Sequence, residues 1–127
     1  MKALMKYLLF LTVLVVTALG LTTQAAYSAS ITVDMMTCTL ADAITAANTD
    51  TAISSCAAGA GEDTIILQQD VLLAAALPEI VSTVTIKGSR HKIDGQKNEA
   101  VGSVLHVASN GNLTLNEVTI TGGTYNE

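Results

Sequence analysis

Aromatic residues are scarce in this sequence, which contains no tryptophan, one phenylalanine and three tyrosines. The single phenylalanine, Phe10, lies in an N-terminal apolar run. A chain processed after that run would therefore build its core from Val, Ile, Leu and Ala. Such a composition suits thin aliphatic layers, and it disfavours the aromatic platforms on which sugar rings usually stack.

Basic residues are also few, with six Lys and Arg against eleven Asp and Glu and a net charge of −5. Without Lys2 and Lys6, four basic residues remain against eleven acidic ones, a net charge of −7. An acidic domain of this kind argues against nucleic acid and against anionic membrane surfaces as partners.

The N-terminus has the three-part order of a secretory signal peptide. Two lysines precede an uncharged apolar run from Tyr7 to Leu21, and small residues follow up to Ala29. The run is shorter than the roughly 20 residues that span a bilayer. We therefore predict a signal peptide over residues 1–28 and a secreted or cell-surface protein that contacts the membrane only before cleavage. An uncleaved anchor is the alternative.

The sequence has two cysteines, Cys38 and Cys56, which would close a short loop if they were bonded to each other. In an exported protein such a pair predicts a disulfide, worth about 3 kcal/mol by loop-closure entropy. A metal site formed with His91 and His106 is the alternative, although the spacing fits no common zinc pattern.

The stretch from residue 31 to 67 predicts a cap and a first strand. Thr39 resembles a helix N-cap, and apolar residues at helical spacing predict a helix over 39–48. A polar loop then leads to Cys56, a glycine-rich turn and the β-branched run Thr64 to Leu67.

Residues 68–127 contain a repeat of three short strands separated by turns. Leu77, Val84 and Ile93 recur in the same order, and at nearly the same spacing, as Val104, Leu113 and Ile120. Three strands per repeat, with glycines at the corners, predict an all-β fold: a right-handed parallel β-helix of about two rungs. The disulfide-closed helix would then be its N-terminal α-helical cap. An antiparallel sandwich of the same strands is the alternative.

The segment Cys38 to Ala43 resembles the CSLREA motif, which lies near the N-terminus of exported bacterial β-helix proteins. The similarity spans roughly Ile31 to Gly123. It continues through Ile44–Asn48, Cys56, Gly61, Asp63–Ile65, Leu77–Pro78, Ile86–Gly88, Ile93–Gly95 and Leu113–Leu115. The sequence departs from the motif at two positions: Ala41 replaces its Arg, and Asp42 replaces its Glu.

The resemblance implies a pectate-lyase-like β-helix at the start of a large secreted, adhesin-like or polymorphic outer-membrane protein. It implies no defined catalytic activity and no cofactor. Since the sequence stops at Glu127, after a Thr-Gly-Gly corner, we expect a truncated product or a fragment. The predicted function is accordingly a non-enzymatic structural or adhesive role at the bacterial cell surface, after export by the general secretory route.

A basic cluster within residues 87–97 is the one candidate ligand site. It could bind an anionic surface glycan or an acidic protein, with a solvated loop as the alternative. Its members are Lys87, Arg90, His91, Lys92 and Lys97.

The alternative function is a remnant of a carbohydrate-active, polysaccharide-lyase-like enzyme. Such enzymes use clustered carboxylates for Ca²⁺ and a basic residue as the general base. The sequence offers no Asp-x-Asp pair on the repeating strands, so we predict no catalytic, metal or cofactor residues. The residues considered for such a site are Asp63, Asp94, Arg90, Lys92 and His106.

Overall fold

A computed structural model describes residues 27–124 of the chain. The predicted signal peptide, residues 1–28, lies outside this part except for its last two residues. Within residues 27–124, no helix is long and apolar enough to cross a membrane. The elements in chain order are β1 Ser30–Val33, α1 Leu40–Thr49, β2 Glu62–Leu67, β3 Val71–Leu72, β4 Thr83–Lys87, β5 Lys92–Asp94, β6 Asn112–Asn116 and β7 Thr119–Thr121.

The strands form two parallel sheets, one in the order β1-β2-β4-β6 and the other in the order β3-β5-β7. Because every pair is parallel and in register, like positions stand side by side. In the first sheet Ile31 neighbours Ile65, Ile65 neighbours Ile86, and Ile86 neighbours Leu115. These side chains form a continuous column on the inner face of the sheet.

The second sheet supplies a shorter column. Val71 neighbours Ile93, and Ile93 neighbours Ile120. The buried residues of both sheets belong to one aliphatic cluster. The core is therefore built of Val, Ile, Leu and Ala, as the shortage of aromatic residues predicts.

The helix α1 begins and ends at residues suited to those positions. Thr39 has an extended backbone, and its side chain accepts the N–H of Asp42 at 3.1 Å. At the other end Asp50 is left-handed, and its N–H bonds to Ala46 O. The helix packs against β1 and β2, with Leu40 and Ile44 buried. The helix predicted over 39–48 is thus confirmed, shifted by one residue.

The predicted all-β fold, a right-handed parallel β-helix with an N-terminal helical cap, is wrong. The chain is a small α/β structure with one helix and two parallel sheets of four and three strands. The helix is not an N-terminal cap, because β1 precedes it and pairs with β2.

One of the three strands predicted in each repeat, the first in chain order, does not form. Segments 77–80 and 104–107 share only one isolated bridge, between Ile80 and Val107. Pro78 lies in the first of these segments and has no N–H to contribute to a ladder. The repeat therefore produces two sheets instead of three.

Candidate functional site

The predicted disulfide is present. Cys38 and Cys56 are bonded, with 4.9 Å between their Cα atoms, and the described residues contain no free cysteine. The disulfide joins the residue before the N-cap of α1 to the loop after the helix. Since both sulfurs are used in this bond, the alternative metal site with His91 and His106 is wrong.

Two turns on either side of β5 carry three members of the predicted basic cluster, Arg90, His91 and Lys97, whereas Lys87 ends β4 and Lys92 begins β5. Residues 88–91 form the first turn, in which the N–H of His91 bonds to Gly88 O at 2.8 Å. Residues 95–98 form the second, in which the N–H of Asn98 bonds to Gly95 O at 3.0 Å. We refer to these two segments as the basic turns.

Both central residues of each basic turn have positive φ. The values are 50° and 74° for Ser89 and Arg90, and 56° and 53° for Gln96 and Lys97. Turns with two positive φ angles favour Gly, Asn and Asp, because larger side chains crowd the backbone there. Each basic turn instead has a long cationic side chain at its third position.

Backbone hydrogen bonds hold the two cationic residues in this conformation. The N–H of Arg90 donates to Glu117 O, and the N–H of Lys97 donates to Gly122 O, both at 2.8 Å. Both side chains are exposed. The residues directly after β6 and β7 therefore hold the backbone of the basic turns, while the charged groups of Arg90 and Lys97 remain in solvent.

Two members of the predicted cluster have acidic partners. Asp70 directly precedes β3, and the register of β3 on β5 places it beside Lys92. Asp70 Oδ1 accepts the backbone N–H of Lys92 at 3.1 Å and lies 3.4 Å from His91 Nδ1. The Lys92 ammonium lies 3.3 Å from Asp94 Oδ2.

Asp94 is held in its ionised form by its own turn. The backbone N–H of Gln96, 2.8 Å from Asp94 Oδ1, lowers the pKa of Asp94, and Lys92 adds to the effect. Lys87, Arg90 and Lys97 differ from Lys92, because no carboxylate of residues 27–124 lies within ion-pair distance of them. The structure thus divides the predicted cluster into two side chains with an acidic partner, His91 and Lys92, and three cations without one among residues 27–124.

The residues considered for catalysis lie in separate environments. Asp63 is buried and its Oδ1 accepts backbone N–H groups, whereas Asp94 belongs to a turn. His106 is exposed, and its Nε2 lies 3.7 Å from Glu79 Oε1. Within residues 27–124, no three His, Cys, Asp or Glu side chains come together as a metal site.

Asn48 organises a long-range contact that the sequence analysis did not identify. Its Nδ2 donates to Glu79 O at 2.7 Å, and its Oδ1 accepts the N–H of Val81 at 3.0 Å. One amide thereby attaches the end of α1 to the segment before β4. Because both partners are distant from Asn48 in the sequence, no local pattern indicates this role.

A small apolar groove of about 230 Å³ lies between the start of α1 and segment 71–77. Ala41, the residue that replaces the Arg of the CSLREA motif, lines it together with Leu73 and Ala75. The departure from the motif therefore places a short side chain in the lining of this groove.

Comparison of the chain with known proteins finds no matching family model, no similar curated protein and no similar solved structure.

Proposed function

We propose that this chain is an exported, non-enzymatic protein with a structural or adhesive role outside the cell, and that its basic turns bind an anionic surface glycan. The geometry of Arg90 and Lys97 carries the proposal. The disulfide supports export, because such bonds persist in oxidising compartments. The resemblance to exported CSLREA-motif proteins supports the same location.

The positive φ angles of Arg90 and Lys97 cost conformational energy. A residue other than glycine at positive φ loses roughly 1 kcal/mol against an ordinary conformation. Two such residues in equivalent turns, both cationic and both solvent-exposed, favour a role in binding over a role in folding. A charged polymer chain can contact both turns at once, because they lie at opposite ends of one short strand.

Binding can be measured by retention on immobilised polygalacturonate and dextran sulfate, with neutral dextran as the reference. We expect retention that falls as salt increases, since contacts between exposed charges are screened. The variant Lys87→Gln/Arg90→Gln/Lys97→Gln should lose it. A charge-matched control, Thr32→Glu/Ala52→Glu/Ser109→Glu, changes exposed positions elsewhere by the same net charge and should retain most of it.

Three outcomes would contradict the proposal. The first is equal loss in both triple variants, which would indicate a response to overall charge alone. The second is binding to polyglutamate but not to either polysaccharide, which would indicate an acidic protein as the partner. The third is cleavage of polygalacturonate by the purified chain, which would indicate an enzyme.

Export has its own test. The full sequence is expressed in a bacterial host, and the cytoplasmic and exported fractions are treated with a thiol-reactive maleimide before and after reduction. We expect the chain in the exported fraction, labelled only after reduction. A chain that remains in the cytoplasm would contradict the proposed location.

A further inference from the structure

Within residues 27–124, the outermost strands β6 and β7 leave one end of the apolar core uncovered. Leu115 of β6 is 45 % exposed and Ile120 of β7 is 37 % exposed, whereas their neighbours Ile86 and Ile93 are fully buried. An open apolar depression of about 500 Å³ lies against them. We call this surface the open end, defined by Val104, Val107, Leu113, Leu115 and Ile120.

The opposite end of the stack is closed. Ile31 and Val33 of β1 are fully buried, and α1 packs against this strand. Of the two ends of the stack formed by residues 27–124, the open end is therefore the one that offers an exposed apolar face to the open end of a second copy. An arrangement in which the same patch meets itself has a two-fold axis.

The free edge of β6 has none of the features that normally prevent edge pairing. Exposed edge strands are usually protected by Lys, Pro or other charged residues. The strand β6 reads Asn-Leu-Thr-Leu-Asn and β7 reads Thr-Ile-Thr, without charge or proline. From Ser103 to Thr124, the only Asp, Glu, Lys or Arg is Glu117. The acidic charge of the chain thus lies elsewhere and does not oppose an approach here.

The backbone of β6 offers its outer hydrogen-bonding groups at the two leucines. The N–H of Asn112 bonds to Ser82 O at 3.0 Å, and Asn116 O accepts the N–H of Gly88 at 2.8 Å. These groups point toward β4. Because successive residues of a strand point their backbone groups to opposite sides, those of Leu113 and Leu115 face the free edge.

The sequence of β6 reads the same in both directions about Thr114. Antiparallel pairing of two copies about this residue places Leu113 opposite Leu115 of the second copy, with Thr114 opposite itself. Both leucines of each copy then lie on the inner face, next to the open ends. The leucine pairs are also the ones whose backbone groups are free to exchange hydrogen bonds.

We propose that two copies of this chain associate through β6, antiparallel about a two-fold axis at Thr114, and that this contact covers the open end. The two four-stranded sheets then continue into one. The inference is independent of the proposed glycan binding, because the basic turns carry none of the residues that define the open end.

Because Thr114 would lie at the two-fold axis, charged substitutions at this residue test the proposed contact between two copies. The full sequence is expressed, and the processed protein is examined by sedimentation equilibrium. We expect the mass of two copies. Thr114→Lys and Thr114→Glu each place like charges directly opposite one another at the axis, so each variant alone should sediment as one copy. An equal mixture of the two should restore the mass of two copies.

Thr32→Lys is the matched control, because Thr32 is an exposed threonine on β1 of the same sheet. It adds the same charge and should leave the mass unchanged. Circular dichroism of each variant checks that folding is intact, which is expected because Thr114 is exposed. A single-copy mass for the unchanged chain at high concentration would overturn the proposal. A mass that is unaffected by both Thr114 variants would do the same.

Discussion

Asp34 accepts a hydrogen bond from the backbone N–H of Cys38, with 3.0 Å between Asp34 Oδ1 and the amide nitrogen. The same carboxylate accepts the N–H groups of Met36 and Thr37 and the Thr37 hydroxyl. These bonds, that of Cys38 first, hold the pKa of Asp34 well below its ordinary value. The ionised carboxylate therefore fixes the turn between β1 and the disulfide.

The lowered pKa of Asp34 predicts a loss of stability in acid. A carboxylate with a lower pKa in the folded than in the unfolded chain stabilises the fold above the unfolded value of about 3.9. That contribution disappears as the pH falls below this value toward the folded pKa. Asp34→Asn should therefore flatten the pH dependence of the free energy of unfolding below pH ~4, as measured by urea denaturation. Glu99→Gln, which removes an exposed carboxylate, is the control, and equal slopes for Asp34→Asn and the unchanged chain would refute the prediction.

The disulfide should contribute much of the stability of so small a core. We expect reduction to lower the free energy of unfolding by about 3 kcal/mol, which for a domain of this size is a large part of the total. The measurement is thermal unfolding with and without reductant. Cys38→Ala/Cys56→Ala is the control and should unfold at the same temperature in both conditions. An unchanged melting temperature of the natural chain after reduction would show that the disulfide contributes nothing.

Asn48→Ala should destabilise the attachment of α1 to the segment before β4. It removes the amide partner of the Val81 N–H and of the Glu79 carbonyl, and because both bonds are exposed to solvent each should be worth about 0.5–1.5 kcal/mol in urea unfolding. Asn110→Ala is a matched control, because Asn110 is exposed and makes a single bond of 3.3 Å to Val81 O. Equal effects of the two substitutions would contradict the role assigned to Asn48.

Asp63 is buried, so its two obvious substitutions should differ in the size of their effect. Its Oδ1 accepts the N–H groups of Ala29 and Ala60, whereas Oδ2 is buried and has no hydrogen-bond partner among residues 27–124. Asp63→Asn retains an acceptor for both N–H groups, so it should lose less stability than Asp63→Ala. Asp63→Ala should lose about 1–3 kcal/mol, because two N–H groups lose their acceptor. Urea unfolding at neutral pH compares the two variants, and a larger loss for Asp63→Asn would contradict this explanation.

Local patterns in the sequence predicted individual elements of the fold well. The N-cap at Thr39 and the apolar spacing after it predicted α1, and the repeat predicted the neighbours Val84 and Leu113. The architecture was wrong because it assumed a third strand in each repeat. Segments 77–80 and 104–107 form a ladder only if their backbones pair with each other, which a local sequence pattern does not reveal. In the structure they share one bridge, between Ile80 and Val107.

The candidate site could be predicted only as a group of residue types. The sequence placed five basic side chains within a few positions, but it could not indicate which of them would have an acidic partner. Asp70 reaches His91 and Lys92 only because β3 lies in register on β5. The positive φ angles of Arg90 and Lys97 likewise depend on bonds to Glu117 and Gly122, which belong to the next layer.

The stacking of the strands also predicts the order in which they detach when the fold opens. The helix and the disulfide support β1, whereas among residues 27–124 β6 has a neighbouring strand on one side only and no helix against it. Opening should therefore start at β6 and β7 and spread inward, and β1 and β2 should detach last. In deuterium, the amides of β4 that bond to β6 should exchange before those of β2 that bond to β1. Anything that covers β6 would then slow exchange along the whole stack, including at strands that it never touches.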